Sequence, residues 1–270
     1  FLYMGLASID KAVGPLLKGN TYIIAARPGI GKSSLALTLA RNVARQEFYA
    51  LYFTMEMEDE ELVRRLVSPE ANVSALDIFL GNVGDHQEFE KAVARTSTPY
   101  LWIDDTSGLT PNKLFQKAQR MQRFVGLDLV IVDYIQLMDD DSLTKDRRAT
   151  VDKISRQTKT MSKELGIPVI NVAQLNREVD KRGDNEPILS DLREAGGLEQ
   201  DASVVLFLWK DKAIPLEGER HKINWKLAKH RQGLQEARGT VQFIPPLTQF
   251  IDELPQPTES EKTDYRQQLL

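Results

Sequence analysis

Residues 26–33 read Ala-Arg-Pro-Gly-Ile-Gly-Lys-Ser, and what flanks them decides their meaning. Upstream, Tyr22–Ala26 is apolar and of strand length; downstream, Ser33–Gln46 places Leu35, Leu39 and Val43 on one helical face. A glycine-rich turn that leaves a strand and opens a helix is the setting of a phosphate-binding P-loop. Gly29 and Gly31 let the backbone bend so that amides point at phosphate oxygens, and the helix N-terminus adds partial positive charge. Arg27, Pro28, Gly29, Ile30, Gly31, Lys32, Ser33 and Ser34 are therefore the expected nucleotide-binding residues. Lys32 would offer its ammonium to the β- and γ-phosphates of ATP, and Ser33 a hydroxyl ligand to Mg²⁺. Ala26 stands where the usual pattern has its first glycine. The competing reading is an ordinary strand-turn-helix that contains Gly-Lys-Ser.

Outward from this loop, short apolar runs alternate with longer amphipathic ones. Tyr49–Met55 predicts a buried strand, followed by helical stretches at Glu58–Val67, Ser74–Leu80 and His86–Arg95. Tyr100–Asp104 predicts another strand, and Thr110-Pro111 marks a helix start, with Thr as N-cap and Pro in the first turn. Leu127–Tyr134 is nearly all apolar, as a central parallel strand buried on both faces should be. Val151, Ile154, Thr158, Met161 and Leu165 line one face of a helix ending at Gly166. Pro168–Ala173 and Ser203–Trp209 are further strands; His221–Ala228 and Thr240–Ile244 follow without a helix between them and should extend the sheet antiparallel at its edge. The predicted fold is α/β: a mainly parallel central sheet, helices on both faces, antiparallel edge strands. Residues 1–250 form the ATPase domain and 251–270, polar and Pro-bearing, a tail.

A P-loop calls for a carboxylate at the end of a later apolar strand, and Asp133, closing Leu129–Val132, meets this as a Mg²⁺ partner of Ser33. Hydrolysis needs a group to orient water. Glu56 lies directly after the strand next in sequence to the P-loop helix, whereas Glu58, Asp59, Glu60 and Glu61 suit the first turn of the following helix. Asp104 and Asp105 are rivals at another strand end. Gln174, just past Pro168–Ala173, could sense a γ-phosphate through its amide. Lys229-His230-Arg231 reads equally as a solvated charge run or as a cationic finger.

Composition narrows the remaining choices. There are no cysteines, which excludes disulfides, zinc-thiolate sites and cysteine nucleophiles, and His86, His221 and His230 lack metal-ligand spacing. No apolar run approaches the length of a membrane span. The opening Phe-Leu-Tyr-Met resembles no signal segment, so a cytoplasmic domain of a longer protein is expected.

Together the motifs resemble one family, the DnaB-like replicative DNA helicases, in their RecA-like C-terminal motor domain. The resemblance rests on AARPGIGKSS (25–34), YFTMEM (52–57), IDDTSGLTP (103–111), VIVDYIQLM (130–138), VAQLNREVDKR (172–182), SDLREAGGLEQDASVV (190–205) and LAKHRQG (227–233), in family order. It implies that Glu56 is the catalytic carboxylate, Asp133 the Walker B aspartate and Gln174 the phosphate sensor coupling nucleotide to DNA. It also implies a homo-hexameric ring with ATP at subunit interfaces, where Lys229 and Arg231 reach the neighbour's γ-phosphate. Arg193, Glu194 and Gly196 match the family's loop facing single-stranded DNA, and the polar segment Asn176–Ser190 adds Arg177 and Arg182 as candidate contacts. Tracking 5′ to 3′, a primase and a helicase loader complete the expectation. The motifs match the family's motor domain and not the N-terminal domain and linker helix by which its members assemble, so ring formation by these residues alone is not part of the expectation, and beyond Gly233 the match to the basic finger loosens. A RecA-type recombination ATPase and a nucleotide-gated assembly factor are the alternatives.

Net charge offers a DNA-binding reading no help. The chain carries −4 overall; residues 251–270 hold five acids and two bases, and Asn176–Gln200 holds seven acids and four bases. Affinity for DNA would have to come from a few loop groups repeated around a ring, so that a lone domain binds weakly.

Overall fold

The computed structural model describes residues 1–138, 147–211, 220–233 and 237–252. Its first elements are α1 (Ala7–Val13), β1 (Thr21–Ala26), α2 (Lys32–Arg45), β2 (Ala50–Thr54), α3 (Asp59–Ala71), α4 (Ala75–Phe79) and α5 (His86–Thr96). Then come β3 (Leu101–Asp104), α6 (Pro111–Val125), β4 (Leu129–Asp133), α7 (Arg147–Leu165) and β5 (Val169–Gln174). Two 3₁₀ turns, Arg177–Lys181 and Leu189–Ala195, lead to α8 (Gly196–Asp201), β6 (Val204–Trp209), β7 (His221–His230), β8 (Arg238–Ile244) and β9 (Gln249–Asp252).

Among the described residues the strands form one sheet in the order β3-β2-β4-β5-β1-β6-β7-β8-β9. The pairs from β3 to β6 are parallel, and those from β6 to β9 antiparallel. Strands β1, β2, β4 and β6 are buried at every position, which is why they read as continuous apolar runs rather than alternating ones. Successive side chains nevertheless go to opposite cores. Ile24 of β1 joins Ile9, Leu35, Leu39 and Leu62 from α1, α2 and α3. Ile23 and Ala25 join Leu114, Ile154 and Leu198 from α6, α7 and α8.

The predicted caps recur in atomic detail. Thr110 accepts the Lys113 amide at the start of α6, with Pro111 in the first turn. Asp59, Glu60 and Glu61 occupy the first turn of α3. Strand β9 runs past the expected domain boundary at residue 250, since Ile251 and Asp252 belong to it. That strand is held by pairing to β8 and by Phe250, which is buried, stacked on Phe243 and bonded through its amide to Thr38 of α2. Asp252 then caps α1, accepting from the Ala7 amide (2.6 Å), the Ser8 amide (3.0 Å) and the Ser8 hydroxyl (2.7 Å). Residues 253–270 of the expected tail lie outside the described residues.

Candidate functional site

Strand register builds the site. Ala26 pairs with Gln174 across β1 and β5, and Thr54 with Asp133 across β2 and β4. The carboxyl ends of four adjacent parallel strands therefore converge, bringing Lys32, Glu56, Asp133 and Gln174 to one edge of the sheet. These residues are up to 142 positions apart in the chain.

Both loop glycines are required by the backbone. Gly29 has φ +80° and Gly31 φ +100°, conformations that an L side chain resists. Gly31 has a second constraint: a Cβ there would sit 3.0 Å from the Phe250 ring. Lys32 opens α2 and is 8% exposed. Its Nζ lies 3.3 Å from Glu56 Oε2 and 4.5 Å from the centroid of the Tyr134 ring. The ammonium is thus held between a carboxylate and an aromatic face, while Glu56 keeps half its side chain in solvent.

Asp133 is fully buried. Its Oδ2 accepts from the Tyr52 hydroxyl at 2.6 Å, while Oδ1 is buried with no hydrogen-bond partner. Burial pushes the Asp133 carboxyl above the usual carboxylate range; the Tyr52 hydrogen bond, the Lys32 charge and the Ser33 hydroxyl act against it. Burial and the neighbouring carboxylate likewise push the Tyr52 phenol well up. An orphaned buried carboxylate oxygen close to a helix-terminal serine is a site that fits a hard dication. Among the described residues no group of three or more His, Cys, Asp or Glu could hold a metal. Mg²⁺ at this point would rely on Ser33, Asp133 and phosphate oxygens.

The other expected site residues fall in several places. Gln174 ends β5, and its main chain is bracketed by the side chain of Gln136, which donates to the Gln174 carbonyl (3.0 Å) and accepts the Gln174 amide (3.2 Å). Arg27 turns its guanidinium away from the loop, onto Asp180 and the Leu175 carbonyl. Asp104 is committed elsewhere. Burial alone would raise its carboxyl, but hydrogen bonds from Lys117 (2.6 Å) and Thr106 outweigh this and hold it below the ordinary value.

Lys229 and Arg231 lie at the opposite edge of the sheet. Leu208 of β6 pairs with Ala26, but Val204 pairs with His230 of β7, about 13 Å further along the strand. Both cations fold onto the carbonyls that end α8: Lys229 on Glu199 and Gln200, Arg231 on Gln200. Burial, and then the nearby Arg231 charge, pull the Lys229 ammonium below its usual value. Neither residue can serve its own phosphate loop. Arg177 is exposed on its 3₁₀ turn; Arg182 pairs with Asp191 and donates to the Glu186 carbonyl (3.0 Å). The polar segment Asn176–Ser190 is thus braced by its own contacts. Arg193, Glu194 and Gly196 lie where the second 3₁₀ turn meets α8; their side chains are outside the described residues.

Tyr52 and Gln136 escaped the sequence reading. Tyr52 had a signal, since a tyrosine inside a fully buried strand needs a partner for its hydroxyl. Gln136 had none, being one polar residue in a turn.

A family model for the DnaB-like helicase C terminal domain matches residues 2–252. The chain belongs to this family. The replicative DNA helicase DnaC of Bacillus subtilis (strain 168) is 34% identical over 255 residues, covering 92% of this chain and 56% of that protein. The replicative DNA helicase DnaB of Leifsonia xyli subsp. xyli is 39% identical over 237 residues, covering 85% of this chain and 51% of that protein. The chain spans about half the length of these relatives. Among solved structures, one isolated ATPase domain superposes with a TM-score of 0.87 at 29% identity, over 94% of this chain and 91% of that one. A DnaB-like replicative helicase, solved in a study of its interactions with primase, gives 0.86 at 29% identity, over 94% and 62%. The α/β architecture expected from the sequence, antiparallel edge included, is thus that of DnaB-like ATPase domains. No helix among the described residues is long and apolar enough to cross a membrane.

Proposed function

We propose that this DnaB-like domain is the motor of an ATP-driven replicative helicase that moves on single-stranded DNA. One observation carries the reading: a phosphate loop, a buried carboxylate, a solvent-reaching carboxylate and a polar amide converge on one edge of the sheet, the set that ATP hydrolysis requires. Loop amides from Gly29 to Ser34 bind the phosphates. Lys32 leaves Glu56 for the β- and γ-oxygens, because phosphate outcompetes one half-exposed carboxylate for the ammonium. Glu56, released, orients the attacking water and takes its proton. Mg²⁺ held by Ser33 and Asp133 would supply charge neutralisation between the phosphates. Gln174, anchored by Gln136, meets the γ-phosphate with its side-chain amide.

Lys229 and Arg231 act in trans. Their distance from their own loop supports a ring, in six copies by family resemblance, where each pair completes the neighbour's site. DNA contacts through Arg193, Glu194, Gly196 and Arg177, 5′ to 3′ tracking, and primase and loader partners belong to the same proposal. Arg182 is assigned a positioning role instead, since its guanidinium is engaged by Asp191.

Steady-state ATPase with and without oligo-dT is the test. Activity should require Mg²⁺, vanish in Lys32→Ala and fall about 100-fold or more in Glu56→Gln. Arg231→Ala should bind nucleotide yet turn over slowly, and mixing it with Glu56→Gln should restore some activity at hybrid interfaces. Parental activity in Lys32→Ala would refute the site. No recovery in assembled mixed rings would refute the finger.

A further inference from the structure

Between the nucleotide site and the turn carrying Arg193 lies a run of alternating charges that the hydrolytic scheme leaves unused. Arg27 is a P-loop residue, yet its guanidinium makes a forked contact with Asp180, Nε at 3.1 Å from both carboxylate oxygens and Nη2 at 2.7 Å. Its Nη1 donates to the Leu175 carbonyl at 2.8 Å, one residue past Gln174. Asp180 sits on the 3₁₀ turn Arg177–Lys181, which buries Val179 and is capped by the Asn176 side chain. Arg182 closes that turn through its amide on the Val179 carbonyl (3.1 Å) and pairs its guanidinium with Asp191. Asp191 is 3% exposed. It also accepts the Ile188 amide (2.7 Å), receives the Asn176 amide on its own carbonyl (3.1 Å), and stands two residues before Arg193.

The chain of contacts is continuous: phosphate loop, Arg27, Asp180, Arg182, Asp191, and the 3₁₀ turn Leu189–Ala195. Its two side-chain links, Arg27–Asp180 and Arg182–Asp191, are charge-assisted bonds of fixed direction, and between them the short 3₁₀ turn is closed by the Arg182 amide on the Val179 carbonyl, so displacement is passed on rather than absorbed. Stability does not explain it. The Arg27–Asp180 pair has one partner half in solvent, and such pairs contribute little to folding. It does tie the loop that feels phosphate to the segment beyond Gln174.

We propose that Asp180 is a positioning residue that transmits the nucleotide state of the P-loop, through Arg182 and Asp191, to the turn bearing Arg193. The relay rests on the helicase reading and deepens it by naming the groups that link ATP to DNA grip. The equilibrium it biases is the seating of the Leu189–Ala195 turn against the exit of β5.

The test compares oligo-dT affinity of the 270-residue chain in ADP and in a nonhydrolysable ATP analogue, by fluorescence anisotropy, for the parent, Asp180→Asn, Asp180→Glu and Glu178→Gln. Asp180→Asn should bind both nucleotides within about twofold of the parent, yet its ATP-to-ADP ratio of DNA affinities should shrink about threefold or more. Asp180→Glu should restore the ratio. Glu178→Gln, which removes an exposed pair with Lys181 on the same 3₁₀ turn, should leave the ratio unchanged. A parental ratio in Asp180→Asn would overturn the relay alone. Loss of nucleotide binding along with the ratio, not restored by Asp180→Glu, would make Asp180 merely structural and also overturn it. A parent chain whose oligo-dT affinity ignores nucleotide would overturn the helicase reading and the relay together.

Discussion

Tyr52→Phe removes one hydroxyl and little volume, at the point where the candidate site is most deeply buried. Tyr52 and Asp133 are both 0% exposed, and the 2.6 Å bond between them holds a carboxylate whose other oxygen has no partner. A hydrogen bond to a charged group contributes about 1.5–3 kcal/mol, and losing the donor leaves the buried carboxylate without its phenol. Because Phe fills the same space, no cavity term is added. The expected loss is therefore about 2–3 kcal/mol, or roughly 4–10 °C in Tm for a domain of this size. Urea unfolding followed by circular dichroism in EDTA measures it without interference from nucleotide or metal. Repeating the substitution in an Asp133→Asn background isolates the cause. With the charge gone, Tyr52→Phe should cost at least about 1 kcal/mol less. A variant within about 0.5 kcal/mol of the parent, or the same cost in both backgrounds, would refute the account of Asp133 as a desolvated anion held by a phenol.

Three further outcomes are expected. Gly31→Ala combines a positive φ with a contact on the Phe250 ring, so it should destabilise the domain by about 1–3 kcal/mol and abolish binding of a fluorescent ATP analogue; normal binding would show that the loop tolerates a side chain. Asp252→Ala should lower Tm by roughly 2–4 °C through loss of the α1 cap, and an unchanged Tm would argue that α1 is held by packing alone. Lys117→Met tests Asp104, whose folded value lies below its free value. That stabilisation is present above the free carboxylate value of about 4 and is lost as pH falls through the folded value. The stability gap between parent and variant, about 0.5 kcal/mol after allowing for the half-exposed lysine, should hold at pH 7 and narrow progressively as pH falls below about 4; a gap independent of pH would assign it to packing.

Much of the fold was legible because its signals are local. Strands buried on both faces must be apolar throughout, so β1, β2, β4 and β6 announced themselves, and Thr110-Pro111 marked a helix start through its own hydrogen bonds. Elements stabilised by distant partners did not. Helix α1 is only two turns long and takes its cap from Asp252, 244 positions away; β9 is four residues held by β8 and α2. Neither has enough sequence to show a period.

The sequence by itself determined the chemistry on offer at the site. Gly29, Gly31, Lys32 and Ser33 lie within one short loop, so their identity and order carry the phosphate-binding signal, and Asp133 and Gln174 are marked by the apolar strands they close. Only the tertiary structure decided how those groups are used. Strand order set Glu56 against Lys32, stranded one oxygen of Asp133 without a partner, and placed Lys229 and Arg231 where they cannot reach their own loop. It turned Arg27 from the phosphates to Asp180 and gave Arg182 to Asp191 rather than to solvent. The reason is physical. Which side chain a charge meets depends on strand register and on what is buried beside it, and both arise from pairings between residues remote in the chain.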